Sequence, residues 1–201
     1  MSGGRIHILV EGQTEEAMKG HLVRFIHGRR GDRPRVGLHF VNLGGGLNKT
    51  NTQKQASRWL RESDTLGVIA LTDVYPAFKS AEEARETVAS WLPSDDRCRP
   101  AVAAHDFEAW LLVGWTALVR RAGHDKLAPW GAHPEKVNGN RPPAHRIGEL
   151  FGARSRRPYQ KPVDGRFLFE QLDLEVVAGK CPEFKRFVNA ILDLAGYELL
   201  P

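Results

Sequence analysis

Three short segments of this chain hold carboxylates at positions where chemistry gathers. Val10-Glu11-Gly12-Gln13-Thr14-Glu15 follows the apolar residues Ile6, Ile8, Leu9 and Val10, so Glu11 stands at the carboxyl end of a first strand. Asp73 ends a second apolar run, Leu66-Gly67-Val68-Ile69-Ala70-Leu71-Thr72. In open α/β sheets that edge is where ligands bind. Mg²⁺ or Mn²⁺ takes oxygen ligands and commonly uses one or two protein carboxylates, leaving the rest of its shell to water and substrate phosphate. Glu11 and Asp73 together therefore suggest a metal site for phosphoryl transfer. The same residues also read as a helix cap and as the start of a turn, Asp73-Val74-Tyr75-Pro76. The third segment, His105-Asp106-Phe107-Glu108-Ala109-Trp110, begins where a fourth strand ends. On a helix Asp106 and Glu108 diverge, so one of the two is expected to face the site. The alternative makes Asp106 an N-cap and Glu108 a first-turn acid favoured by the helix dipole.

Basic residues supply a second set of candidates. Gly44-Gly45-Gly46-Leu47-Asn48-Lys49-Thr50 lacks the glycine that a P-loop places directly before its lysine. It reads as a glycine turn, with Lys49 at a helix start where a phosphate can be met. Arg29, Arg30, Arg33 and Arg35 form one basic tract, and Arg154-Ser155-Arg156-Arg157-Pro158-Tyr159-Gln160-Lys161 forms another. The second sets Tyr159 beside Arg154, Arg156, Arg157 and Lys161, a composition suited to phosphate contacts and base stacking. Most such tracts are solvated loops. The histidines show no H-x-x-x-H spacing and no G-x-S-x-G elbow occurs, so zinc and serine hydrolase chemistry have no support.

These candidates need elements to position them. Apolar spacing predicts strands over residues 6–10, 35–43, 66–72 and 100–104, and helices over 14–28, 50–61 and 81–92. A strongly apolar helix follows through Phe107, Trp110, Leu111 and Val113. The 66–72 run does not alternate, as expected of a parallel strand covered on both faces. Strands separated by helices predict right-handed β-α-β units and a mostly parallel sheet. Residues 123–157 lose periodicity and read as long connections around a short helix near 145–151. A last helix over 182–195 carries Phe184, Phe187, Val188, Ile191 and Leu192 on one face.

With 201 residues the chain can build one well-buried core but is short for two. Lys and Arg number 29 against 24 Asp and Glu, a net charge of +5 that is compatible with a polyanionic partner without requiring one. Cys98 and Cys181 form no metal or disulfide pattern. Met1-Ser2-Gly3-Gly4-Arg5 leads into a strand without a signal-peptide core, and no apolar stretch reaches membrane-spanning length. A soluble protein of a reducing cytoplasm is the expectation.

The three acidic segments, together with Pro134-Glu135-Lys136-Val137-Asn138, Tyr159-Gln160-Lys161 and Cys181-Pro182-Glu183-Phe184, resemble a bacterial domain-of-unknown-function family, number 4276. That family is regarded as similar to Toprim domains, the catalytic module of topoisomerases, primases and overcoming-lysogenization-defect nucleases. The resemblance implies a Toprim-like, Rossmann-like α/β fold: a mostly parallel four-stranded sheet flanked by helices over residues 1–122. A loop-rich and helical extension over 123–201 would pack on it within a single domain. Glu11 matches the acid/base or metal-associated glutamate and Asp73 the first, metal-binding aspartate of an Asp-x-Asp motif. Tyr75 stands where the second aspartate should fall, and Asp106 or Glu108 can substitute for it. Relatives often lie beside ATPase genes of defence-like systems, which implies an ATPase partner.

The leading expectation is a Mg²⁺- or Mn²⁺-dependent nuclease with Glu11, Asp73 and Glu108 as catalytic residues, and these with Asp106 as metal ligands. Lys49, Arg154, Arg156, Arg157, Tyr159 and Lys161 would contact nucleic acid. A non-catalytic module that senses nucleic acid or an ATPase is the alternative, and an effector silent until its ATPase signals is a third.

Overall fold

The structure, a computed structural model, describes residues 3–12, 15–44, 46–137, 141–154 and 157–201. Four strands form one sheet: β1 (Arg5–Val10), β2 (Gly37–Asn42), β3 (Thr65–Asp73) and β4 (Cys98–Ala103), in the order β2-β1-β3-β4. Every neighbouring pair is parallel. The fold is thus α/β and Rossmann-like. The parallel arrangement follows from the chain's alternation, because each return to the same sheet edge requires a crossover, here made by helices.

Side chains alternate across β1 and so divide the core. Ile6, Ile8 and Val10 join the larger cluster, with Ile26 of α1 (Lys19–Gly28) and Phe187 and Ile191 of α9 (Pro182–Ala195). Leu9, Val68 and Ala70 face the other way, onto Ala56 of α2 (Lys49–Trp59) and Val88 of α3 (Ala81–Trp91). β3 is buried along nearly its whole length, which is why its sequence does not alternate. At Gly67 an added Cβ would lie 2.7 Å from the Arg97 carbonyl oxygen and 2.7 Å from Leu194. Glycine there lets α9 lie close against β3.

Some elements depart from the expected pattern. The first helix is preceded by a 3₁₀ turn, Glu15–Met18, before α1 begins at Lys19. The apolar stretch after β4 is not one helix. It is a single turn, α4 (Glu108–Leu111), a 3₁₀ turn at Leu112–Gly114, and α5 (Trp115–Arg121). The helix expected near 145–151 is α6 (Pro143–Arg154). Two short helices, α7 (Arg166–Glu170) and α8 (Leu174–Lys180), had no clear periodic signal because they span only one or two turns. No helix among the described residues is long and apolar enough to cross a membrane.

Candidate active site

β1 and β3 are neighbours in the middle of the sheet, so the residues that leave them meet at its carboxyl edge. Glu11 turns sideways toward β3. Its Oε1 accepts a short hydrogen bond from the Thr72 hydroxyl and another from the Asp73 backbone N–H at 3.3 Å. Asp73 is the last residue of β3, and its Oδ1 accepts from the Phe107 backbone N–H at 3.1 Å. One line of hydrogen bonds therefore runs from the end of β1, through the end of β3, to the turn after β4. Gly46 of the glycine loop lies beside the same group: a Cβ there would be 3.7 Å from Glu11 Oε2.

The turn after β4 is held in a rare conformation. His105 has φ 86°, in the left-handed region, and its carbonyl accepts from the Tyr75 backbone N–H at 2.7 Å. A non-glycine residue there costs of order 1–3 kcal/mol and persists only when its surroundings fix it. The turn carries Asp106 and Glu108 inward together, at 5% and 1% exposure. The expectation that only one would face the site assumed a regular helix. Asp106 instead precedes α4, so the helical divergence does not apply.

Asp106 makes its full hydrogen bond to another helix, although the Ala109 N–H of its own helix also favours the charged form. Its Oδ2 accepts from the Ala144 N–H at 2.9 Å, in the first turn of α6, while its Oδ1 is buried without a hydrogen-bond partner among the described residues. Glu108 Oε1 lies 3.3 Å from Lys161 Nζ. Burial, then the charge of Glu108, raises the Asp106 carboxyl to about 7. Burial also raises Glu108, with Lys161 opposing. For Lys161 burial works against the ammonium, but Glu108, Asp106 and Asp73 outweigh it and hold its pKa above the ordinary value. Lys161 thus pairs with the acidic cluster and is not free in a basic tract.

The rest of that tract is redistributed as well. The Arg157 guanidinium bonds both oxygens of the fully buried Asp164, at 2.7 and 2.8 Å, and Arg121 bonds Oδ1 at 2.9 Å. Burial opposes the Asp164 charge, but these partners prevail and hold its carboxyl below the usual range. Tyr159 is not an open stacking ring. It packs on Phe151 with centroids 5.2 Å apart, and its hydroxyl is buried. Arg154 closes α6, and Arg156 lies outside the described residues, as do Gln13, Thr14, Gly45 and Asn138. Lys49 is exposed at the start of α2, whose Asn48 cap accepts from the Asn51 N–H.

Glu135 had no interpretable role in the sequence. Its carboxylate accepts from Trp110 Nε1 at 2.9 Å and from the Glu183 and Phe184 backbone N–H groups at 3.0 and 3.1 Å. It joins the helix after β4 to the first turn of α9, where buried Trp110 packs on Phe184 and Phe187. Only the tertiary fold brings these three short motifs together.

A second buried polar cluster lies toward the amino edge. His7 Nδ1 is 3.0 Å from His39 Nδ1, its Nε2 is 3.1 Å from Thr65 Oγ1, and its ring stacks on Trp59 at 4.3 Å. Burial first, and then His39, lowers the His7 pKa to about 4.

Among the described residues, no three His, Cys, Asp or Glu side chains are grouped to hold a metal ion. The four site acids are linked instead through Thr72, backbone N–H groups and Lys161. Their donors are all oxygen, which suits Mg²⁺ or Mn²⁺ in preference to thiophilic ions. The unpartnered Asp106 oxygen is a place where a cation would relieve a buried charge.

The fold and this edge define a parallel, Rossmann-like α/β protein with an acidic, lysine-bearing carboxyl edge. The model of a family described as a domain of unknown function (DUF4276) matches residues 10–192, and the chain belongs to that family. No curated protein and no solved structure matches it.

Proposed function

We propose that this protein is a Mg²⁺- or Mn²⁺-dependent phosphoryl-transfer enzyme, a nuclease acting on DNA or RNA. The observation that carries the reading is Asp106 Oδ1, buried without a hydrogen-bond partner among the described residues, beside Glu108 at the edge where Glu11 and Asp73 also end. Buried carboxylates are costly unless a cation compensates them, and the buried pair Asp106 and Glu108 has the Lys161 ammonium beside it. Glu11 and Asp73 would hold the ion, with Asp106 and Glu108 adding charge behind them. A bound divalent ion polarises the phosphoryl group and acidifies the attacking water.

The remaining work falls to the chain's own groups. Thr72 and the Asp73 N–H fix one oxygen of Glu11, which leaves Oε2 beside the glycine loop as the oxygen that would face the ion. The Phe107 N–H fixes Asp73 in the same way. Lys161 is about half exposed, so its ammonium can donate to a phosphate oxygen while it remains beside Glu108. Lys49, exposed at the start of α2, is a basic position available to meet the strand.

A cleavage assay on DNA and RNA with Mn²⁺ tests the proposal. Wild type should cleave, chelation should stop it, and Glu11→Ala and Asp73→Ala should each be inactive. Equal activity in all three proteins, or activity that survives chelation, contradicts it. One observation favours a second reading, a non-catalytic module that binds nucleic acid or a partner ATPase. Tyr75, where an acid is expected, is 51% exposed. That reading predicts salt-sensitive binding without cleavage. The family resemblance adds the proposal that an ATPase partner of a defence system controls the activity, which would then appear only on mixing the two proteins.

A further inference from the structure

We propose that Lys161 is a fixed second cation of the acidic edge, so that the site takes a single divalent ion, at Glu11 and Asp73. This rests on the metal-dependent reading above and specifies it. Many phosphoryl-transfer sites use two metal ions about 3.5–4 Å apart, one for the attacking and one for the leaving oxygen. Here the acids fall into two pairs. Glu11 and Asp73 are joined through the Asp73 N–H, and both are partly exposed. Asp106 and Glu108 are almost wholly buried, and the Lys161 ammonium already lies 3.3 Å from Glu108 Oε1.

A second metal at the inner pair would have to displace an ammonium that three carboxylates attract. Lys161 is also held by its segment. It opens the turn Lys161–Gly165, whose Asp164 is locked by Arg157, Arg121 and the Gln160 N–H. A lysine anchored in this way keeps its charge at the inner pair without a coordination shell. Its three N–H donors can serve both Glu108 and a non-bridging or leaving oxygen of the substrate. The buried, unpartnered Asp106 Oδ1 shows that one ammonium does not satisfy the pair, so removing Lys161 should open a vacancy that a metal ion fills.

The test is a Mn²⁺ titration of the whole chain followed by electron paramagnetic resonance, which reports stoichiometry and spin coupling independently of catalysis. Wild type and Lys161→Arg should bind one uncoupled Mn²⁺. Lys161→Met should bind a second, with the two ions spin-coupled. The double variant Glu108→Gln/Lys161→Met, which removes both members of the ion pair and leaves Asp106 as the one acid of the inner pair, should return to one ion and serves as the check on folding. Two ions in wild type, or one ion in a folded Lys161→Met protein, overturns the assignment of Lys161 and leaves the metal site standing. No bound Mn²⁺ in any of these proteins overturns the metal-dependent reading itself, and this assignment with it.

Discussion

The two edges of the sheet each bury a polar cluster, and they resolve it differently. Toward the amino edge, both nitrogens of His7 have partners, and Trp59 covers the ring at 4.3 Å. At the carboxyl edge, Asp106 Oδ1 has no hydrogen-bond partner among the described residues, Glu108 lies beside the Lys161 ammonium, and Glu11 and Asp73 are partly exposed. Buried polar groups in folded proteins are nearly always satisfied, so an exception calls for an explanation. In the His7 cluster both ring nitrogens of His7 have partners, Trp59 Nε1 alone of its polar atoms is buried without one among the described residues, and the group links β1, β2, β3 and α2. The acidic cluster leaves Asp106 Oδ1 and Glu108 Oε1 without hydrogen-bond partners among the described residues, and it carries the proposed cation-binding role.

The largest effect that would break this contrast is catalytic. Asp73→Ala should reduce Mn²⁺-dependent cleavage by about 10³-fold, the order expected when several kcal/mol of charge stabilisation is lost. His7→Gln should leave the rate within about twofold. Single-turnover cleavage distinguishes the two, and equal losses in both variants would erase the contrast.

Stability should respond the other way. His7→Ala removes a ring from a packed site and leaves Thr65 without its partner, so a loss of about 2–3 kcal/mol is expected. In a chain of this size that is roughly a 5–10 °C fall in Tm. Asp106→Asn keeps a carbonyl oxygen for Ala144 and removes a buried charge, so the metal-free protein at pH 8 should gain about 1–2 kcal/mol. A destabilised Asp106→Asn protein would mean the carboxylate is better compensated than its partners indicate.

The pH dependence sharpens the same difference, because the two groups tilt the stability curve in opposite senses. His7 is lowered from 6.5 to about 4. Its contribution is present above pH 6.5 and is lost as pH falls from there to about 4, since the unfolded chain gains the proton and the folded one resists it. Asp106 is raised from 3.8 to about 7. Its contribution is present below pH 3.8 and is lost as pH rises to about 7. The two windows overlap, so denaturant titrations between about pH 4 and 7 should show His7→Gln removing a rise of stability with pH and Asp106→Asn removing a fall. The smallest effect belongs to Lys49→Ala, which should weaken nucleic-acid binding only a few-fold and reduce the salt slope by about one unit.

Local patterns made the strands and the acids legible. The non-alternating 66–72 run announced a strand covered on both faces, and Glu11 and Asp73 followed from where the first and third strands stop. The long last helix was plain from its apolar stripe. For Lys161, Arg157 and Tyr159, adjacency in sequence suggested one basic surface and did not show their intramolecular partners. Their partners, Glu108, Asp164 and Phe151, lie on other turns and helices, and only packing reveals them. Glu135 was invisible for the same reason: its three donors come from Trp110 and the start of α9. The inward path of both Asp106 and Glu108 depends on the left-handed His105, which no residue preference announces.

The most direct test of the contrast between the edges is a thermal unfolding series at pH 8 with and without Mn²⁺, comparing wild type, His7→Gln and Asp73→Asn. Mn²⁺ should raise the Tm of wild type and His7→Gln by the same amount and leave Asp73→Asn unmoved, since only a ligand that binds the folded site stabilises it. No shift in wild type, or a shift that persists in Asp73→Asn and disappears in His7→Gln, would contradict the assignment of the carboxyl edge as the functional site.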